Sequence, residues 1–208
     1  MKLFLKYNNV KTLLKHIACL LFIYAICRVL FYIFNYSYFS GLSSGTFIYL
    51  LFISIRFDLS VIAILNSLFI ILYVWPAQFR DGKRYRNTLK GLFYSINSIA
   101  ILANCVDLAY FRFTLKRTTS DVFHFFGGKI GNDLATLMPV FLKDYWYVFV
   151  IWIVLTLLLI ILYKHIERNR QPTEFTQQQF SKEVTGFIVA VALAVLAFRG
   201  GFQMKPIR

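Results

Sequence analysis

Arg28, Arg56 and Arg199 are guanidinium groups inside or at the edge of apolar runs, and Asp58 and Asp107 are carboxylates in the same setting. An ionised side chain in hydrocarbon costs about 3 kcal/mol even on insertion scales, so such residues turn toward protein or water and find partners. Two chemistries fit this set. Asp58 and Asp107 can pair with arginines of neighbouring helices and lock their orientation. Alternatively, three arginines against two carboxylates leave net positive charge for a lipid phosphate, which the planar fork of arginine holds with two hydrogen bonds. The two readings are compatible, because a paired cluster can keep one arginine for lipid. Asn104 joins the set by spacing: Asn97, Asn104 and Asp107 fall at i, i+7 and i+10, which gives one helix a polar edge.

The elements that must position these residues are membrane helices. With 59% hydrophobic residues, 19% aromatics and 15% charged residues, the chain has too little polar surface to cover a water-soluble globule. Apolar runs approaching the ~20 residues needed to cross hydrocarbon use up most of the 208 residues. The reading is an all-α membrane protein, one transmembrane domain over residues 1–208, with five spans near 17–36, 47–75, 91–110, 145–163 and 184–199. The fourth, "YWYVFVIWIVLTLLLIILY", carries no charge and has aromatic residues at both ends, as a spanning helix does. Of the 23 Lys and Arg, thirteen fall on one side if the N-terminus is cytoplasmic. The positive-inside rule then sets the N-terminus in and the C-terminus out.

A helix rises about 1.5 Å per residue, so the cytoplasmic end of each span serves as a ruler. Counted from Trp75, Asp58 comes out about 25 Å and Arg56 about 28 Å toward the outside. Asp107 is about 25 Å above Lys90, Arg199 about 24 Å above Glu183, and Arg28 about 20 Å above Lys15. Charges from four helices thus reach one outer layer, with Arg112 at its rim. Between the third and fourth spans, residues 119–143 are expected to form short interfacial helices. Ile130, Leu134, Leu137, Met138 and Phe141 make an apolar stripe there that suits either the membrane surface or neighbouring helices.

Other functions find little support. The net charge of +14 sits in short loops between spans, where it orients the protein and meets anionic lipid, and no basic stripe with stacking aromatics points to nucleic acid. The N-terminal apolar run is too long and lacks a small-residue cleavage pattern, so it reads as an uncleaved anchor. Cys19, Cys27 and Cys105 have no framework spacing, His16, His124 and His165 are scattered, and neither a metal site nor a catalytic constellation is visible. A channel or transporter is disfavoured because no inverted repeat is evident and the intramembrane charges stay near one face.

Three segments together resemble a known family. "RFDLS" (56–60), "NCVDLAYFRFTLKRTTSDVF" (104–123) and "RGGFQMKPI" (199–207) look like the N-terminal membrane domain of lipoteichoic-acid-synthase-like enzymes, phosphoglycerol transferases of the sulfatase and alkaline phosphatase superfamily. The resemblance implies five helices in a bacterial cytoplasmic membrane, followed by an extracytoplasmic catalytic domain that consumes a membrane phospholipid. Its threonine nucleophile and its divalent metal, usually manganese, belong to that domain, which these 208 residues do not include; no catalytic residue is carried over. The implied job is to anchor such a head and present phospholipid to it through Arg28, Arg56, Arg199 and Arg112, oriented by Asp58, Asp107 and Asn104. Two alternatives stay open: the membrane domain of a phosphoethanolamine-transferase-like enzyme, which shares the same plan, and a purely structural anchor or assembly subunit.

Overall fold

The computed structural model describes residues 8–39, 41–75, 82–115, 143–168 and 177–198. They form six α-helices and one 3-10 turn: α1 (Asn8–Phe34), the turn (Tyr36–Phe39), α2 (Ser44–Leu65), α3 (Ser67–Val74), α4 (Lys83–Thr114), α5 (Trp146–Arg168) and α6 (Gln177–Phe198). Four of them, α1, α2, α4 and α5, are long and apolar enough to cross a membrane. In α6 the described apolar part is Val184–Val195. The predicted fifth span, near 184–199, falls on this helix. The expected interfacial segment, residues 119–143, lies almost wholly outside the described residues.

Helix ends outrun the spans read from charge. α1 begins at Asn8, well before residue 17, because Lys11 and Lys15 stay exposed on one side while Val10, Leu13 and His16 are buried on the other. A charge marks the edge of hydrocarbon and does not stop a helix whose apolar stripe continues. The same applies to α4, which starts at Lys83, and α5, which runs on to Arg168. At its other end α4 closes on Leu115 in left-handed backbone (φ 52°), whose N–H bonds the Phe111 carbonyl at 2.9 Å.

The predicted second span is divided at Asn66. Its backbone N–H and its side-chain amide both reach the Ile62 carbonyl, at 2.9 and 3.1 Å. An asparagine that competes for the helix's own carbonyl distorts the turn it sits in. Asn66 exchanges two further hydrogen bonds with Asn97 of α4, at 3.1 and 2.8 Å. Where water is absent, a distorted turn persists only if its polar groups are satisfied by protein.

The core runs along the inner faces. On α1, Leu13, Leu20, Ile23, Tyr24 and Cys27 recur at helical spacing and are almost fully buried; Val148, Leu155, Leu159 and Tyr163 do the same on α5. α4 packs most extensively on α5, where the Trp152 Nε1–H donates to the Ser98 carbonyl at 3.0 Å. α6 lies against α2 and α3, with Phe187 edge-on to Trp75. Large apolar side chains such as Phe52, Ile99, Val154 and Ile161 are exposed, as a surface solvated by lipid tails requires.

These contacts define two ends. The start of α1, the end of α3, the start of α4 and the end of α5 meet at one, which also carries Lys11, Lys15, Lys83, Arg84, Arg86, Lys90, Lys164 and Arg168. The end of α1, the 3-10 turn, the start of α2 and the end of α4 meet at the other.

Candidate functional site

At the second end the Arg28 guanidinium faces Asp58 fork to fork. Nε donates to Oδ2 at 2.9 Å and a terminal nitrogen donates to Oδ1. Asp58 is buried and the Arg28 side chain is 26% exposed. The chain reversal through "SYFSGLSSG" places these residues on adjoining antiparallel helices, and the twin hydrogen bonds fix the register of α1 against α2. Arg28 also borders a cleft of about 240 Å³, walled by Phe31 and Tyr32 of α1, Phe39 of the turn, and Phe47 and Leu50 of α2. Tyr32 and Phe47 stack across it at 4.2 Å. A cation at the mouth of an apolar cleft is the arrangement that accepts a phosphate with its acyl chain.

Arg112 is exposed in the last turn of α4 and donates to the Phe34 carbonyl at 2.6 Å. It thereby caps the C-terminus of α1, where carbonyls lack intrahelical partners and a cation is favoured. The Tyr38 hydroxyl donates back to the Arg112 carbonyl at 3.4 Å. Asn35, fully buried one residue beyond α1, spans to the Leu108 carbonyl at 3.4 Å.

The remaining residues expected at this layer divide. α1 and α4 run side by side in parallel, with His16 against Phe93 and Phe34 against Arg112, so Asp107 stands near the height of Arg28. It is buried. Asn104 folds back on its own helix, its amide donating to the Ala100 carbonyl at 2.9 Å. Arg56 is exposed. Arg199 lies outside the described residues. Arg28 and Asp58 are thus brought into contact, Arg112 reaches the same end, and Arg56 stands on the outer surface of α2.

The other end holds a polar cluster that charge counting along spans passes over. Glu167, in the last turn of α5, accepts a hydrogen bond from the Tyr73 hydroxyl at 2.7 Å and pairs with Arg86 at 2.8 Å. The His16 ring, 1% exposed, has Nε2 3.5 Å from the same carboxylate and Nδ1 2.8 Å from the Thr12 carbonyl. Phe69, Tyr73, Phe93 and Tyr163 enclose that ring. A signal existed: Glu167 is the one carboxylate in the basic run "KHIERNR". Nothing in the spacing of His16, Tyr73, Arg86 and Glu167 says that four helices bring them together.

Among the described residues no group of three or more His, Cys, Asp or Glu side chains is placed to hold a metal ion. Comparison with protein-family models, with curated proteins and with solved structures finds no match for this chain.

Proposed function

We propose that this chain is the membrane domain of a lipoteichoic-acid-synthase-like phosphoglycerol transferase, anchoring an extracytoplasmic sulfatase-type domain and presenting phospholipid to it. The protein would lie in a bacterial cytoplasmic membrane with its basic end in the cytoplasm and the Arg28 end outside. One observation supports the reading most: the Arg28 guanidinium, steadied by Asp58, stands at the mouth of an aromatic cleft between α1 and α2. A lipid seated there would lay its acyl chain along the cleft wall of Phe39, Leu50 and the stacked Tyr32–Phe47 pair and its phosphate against the arginine, near the face where an extracytoplasmic domain would work. Arg56 and Arg112 add positive charge at that end. The chemistry of transfer, with its metal, belongs to the partner domain.

The test is retention of phosphatidylglycerol by the folded chain in mixed phosphatidylglycerol and phosphatidylcholine nanodiscs, read by native mass spectrometry. Arg28→Lys keeps the charge but loses the fork, and Leu50→Trp fills the cleft. Both are expected to reduce retention about tenfold, the equivalent of one charge-assisted contact. Unchanged retention in both removes the headgroup role.

A second reading, a purely structural anchor, is favoured by a different observation: Arg28 and Arg112 each spend hydrogen bonds on the protein itself, Arg28 on Asp58 and Arg112 on the Phe34 carbonyl. It predicts that replacing the bundle by an unrelated anchor leaves transferase activity intact.

A further inference from the structure

The end of the bundle away from Arg28 contains a cavity of about 430 Å³ between the first turns of α4 and the last turns of α5. Its walls carry Lys83, Arg86, Lys90, Lys164 and Arg168, and a single carboxylate, Glu167. That carboxylate is already engaged by Arg86, the Tyr73 hydroxyl and His16. Among the described residues no ion pair involves Lys83, Lys90, Lys164 or Arg168. Four cations therefore line one concave space whose single carboxylate is already paired with Arg86.

The cavity differs from an ordinary basic loop in two ways. Lysines and arginines that only orient a span spread outward into water, whereas these line one concavity between two helices packed against each other. Moreover, Lys83, Arg84 and Arg86 open α4 with no acidic residue in its first turn, and the N-terminal pole of a helix repels cations. An anion in the cavity relieves both the mutual repulsion and the clash with the helix pole. The volume falls within the ~300 to 1,000 Å³ range of small-molecule sites and exceeds what a bare ion needs.

We propose that this cavity binds a phosphate-bearing anion, held by Lys83, Lys90, Lys164 and Arg168 and walled off from the bundle core by the Arg86–Glu167 pair. The phosphate comes either from a lipid headgroup of the leaflet at this end or from a soluble phosphorylated compound. This site is separate from Arg28 and does not depend on the function proposed for that end.

The experiment uses the full chain in nanodiscs and two probes. Inorganic phosphate is titrated by calorimetry at constant ionic strength into phosphatidylcholine discs, and phosphatidylglycerol retention is counted by native mass spectrometry in mixed discs. The triple variant Lys83→Gln, Lys164→Gln, Arg168→Gln removes exposed cavity cations. The triple Lys11→Gln, Lys15→Gln, Arg84→Gln removes equal charge from the same end outside the cavity. Binding in at least one arm should fall about tenfold or more in the first triple and less than about twofold in the second. Loss of phosphate binding alone identifies a soluble ligand, and loss of lipid retention alone identifies a headgroup. No binding in either arm, equal loss in both triples, or retention that neither triple changes overturns the proposal. Lys164→Gln by itself, at an exposed position on the cavity wall, repeats the test with minimal disturbance and should lower binding in the same arm as the first triple.

Discussion

The Glu167 cluster and the Arg28–Asp58 pair use the same chemistry, a carboxylate set against cations between helices, at opposite ends of the bundle. They differ in what surrounds them. Glu167 takes hydrogen bonds from two other helices and has beside it the His16 ring, itself enclosed by aromatic rings. Asp58 pairs with Arg28 of the adjoining helix, and Arg28 remains partly exposed at the edge of a cleft. The first arrangement ties four helices together; the second ties two and leaves a cation beside a space the size of an acyl segment. A charge's place in an apolar sequence says little about its role until the number of helices closing on it is known.

The comparison can be broken by substitution. Glu167→Ala should have the largest effect, about 4 kcal/mol of lost stability, because it strands Arg86, Tyr73 and His16 around an empty position. Reversible unfolding in mixed detergent measures it, and a loss below about 1 kcal/mol would show that the cluster does not close the bundle. Asp58→Ala should cost less, about 2 kcal/mol, since the partly exposed Arg28 can extend its long side chain toward water. An order of effects opposite to this would remove the distinction between the two ends.

Asn66→Leu sharpens the comparison in the space between them. It removes the exchanged amide bonds with Asn97, worth about 1 kcal/mol inside a membrane protein, and lets α2 and α3 join as one regular helix. The expected readout is a small loss of stability together with added amide protection across residues 62–70 in hydrogen exchange. Trp152→Phe should be the mildest, about 0.5 kcal/mol, because it sacrifices a single hydrogen bond to the Ser98 carbonyl in an otherwise apolar contact.

Much of this arrangement can be read from the chain. Constant helical rise places Arg28 and Asp58 at one depth, and their contact follows once a short turn makes α1 and α2 neighbours. Apolar runs locate the helices, although Lys11, Lys15 and Lys90 mark the edge of hydrocarbon and not the helix ends. Asn66 is invisible to a search for charge, because its amide is neutral while it reshapes a turn. The Glu167 cluster is invisible for another reason: its members lie in the first, third, fourth and fifth helices, and their meeting depends on helix rotation, which the burial of Tyr73, Phe93 and Tyr163 decides. Arg199 and residues 119–142, expected near the Arg28 end, lie outside the described residues.

The most direct measurement is photocrosslinking with a phosphatidylglycerol that carries its reactive group on one acyl chain, followed by peptide mapping. A lipid held at Arg28 predicts labels concentrated in Phe39–Leu51 and lost in Leu50→Trp. Labels spread evenly over outward-facing positions such as Val154 and Ile161, and indifferent to Leu50→Trp, would contradict it.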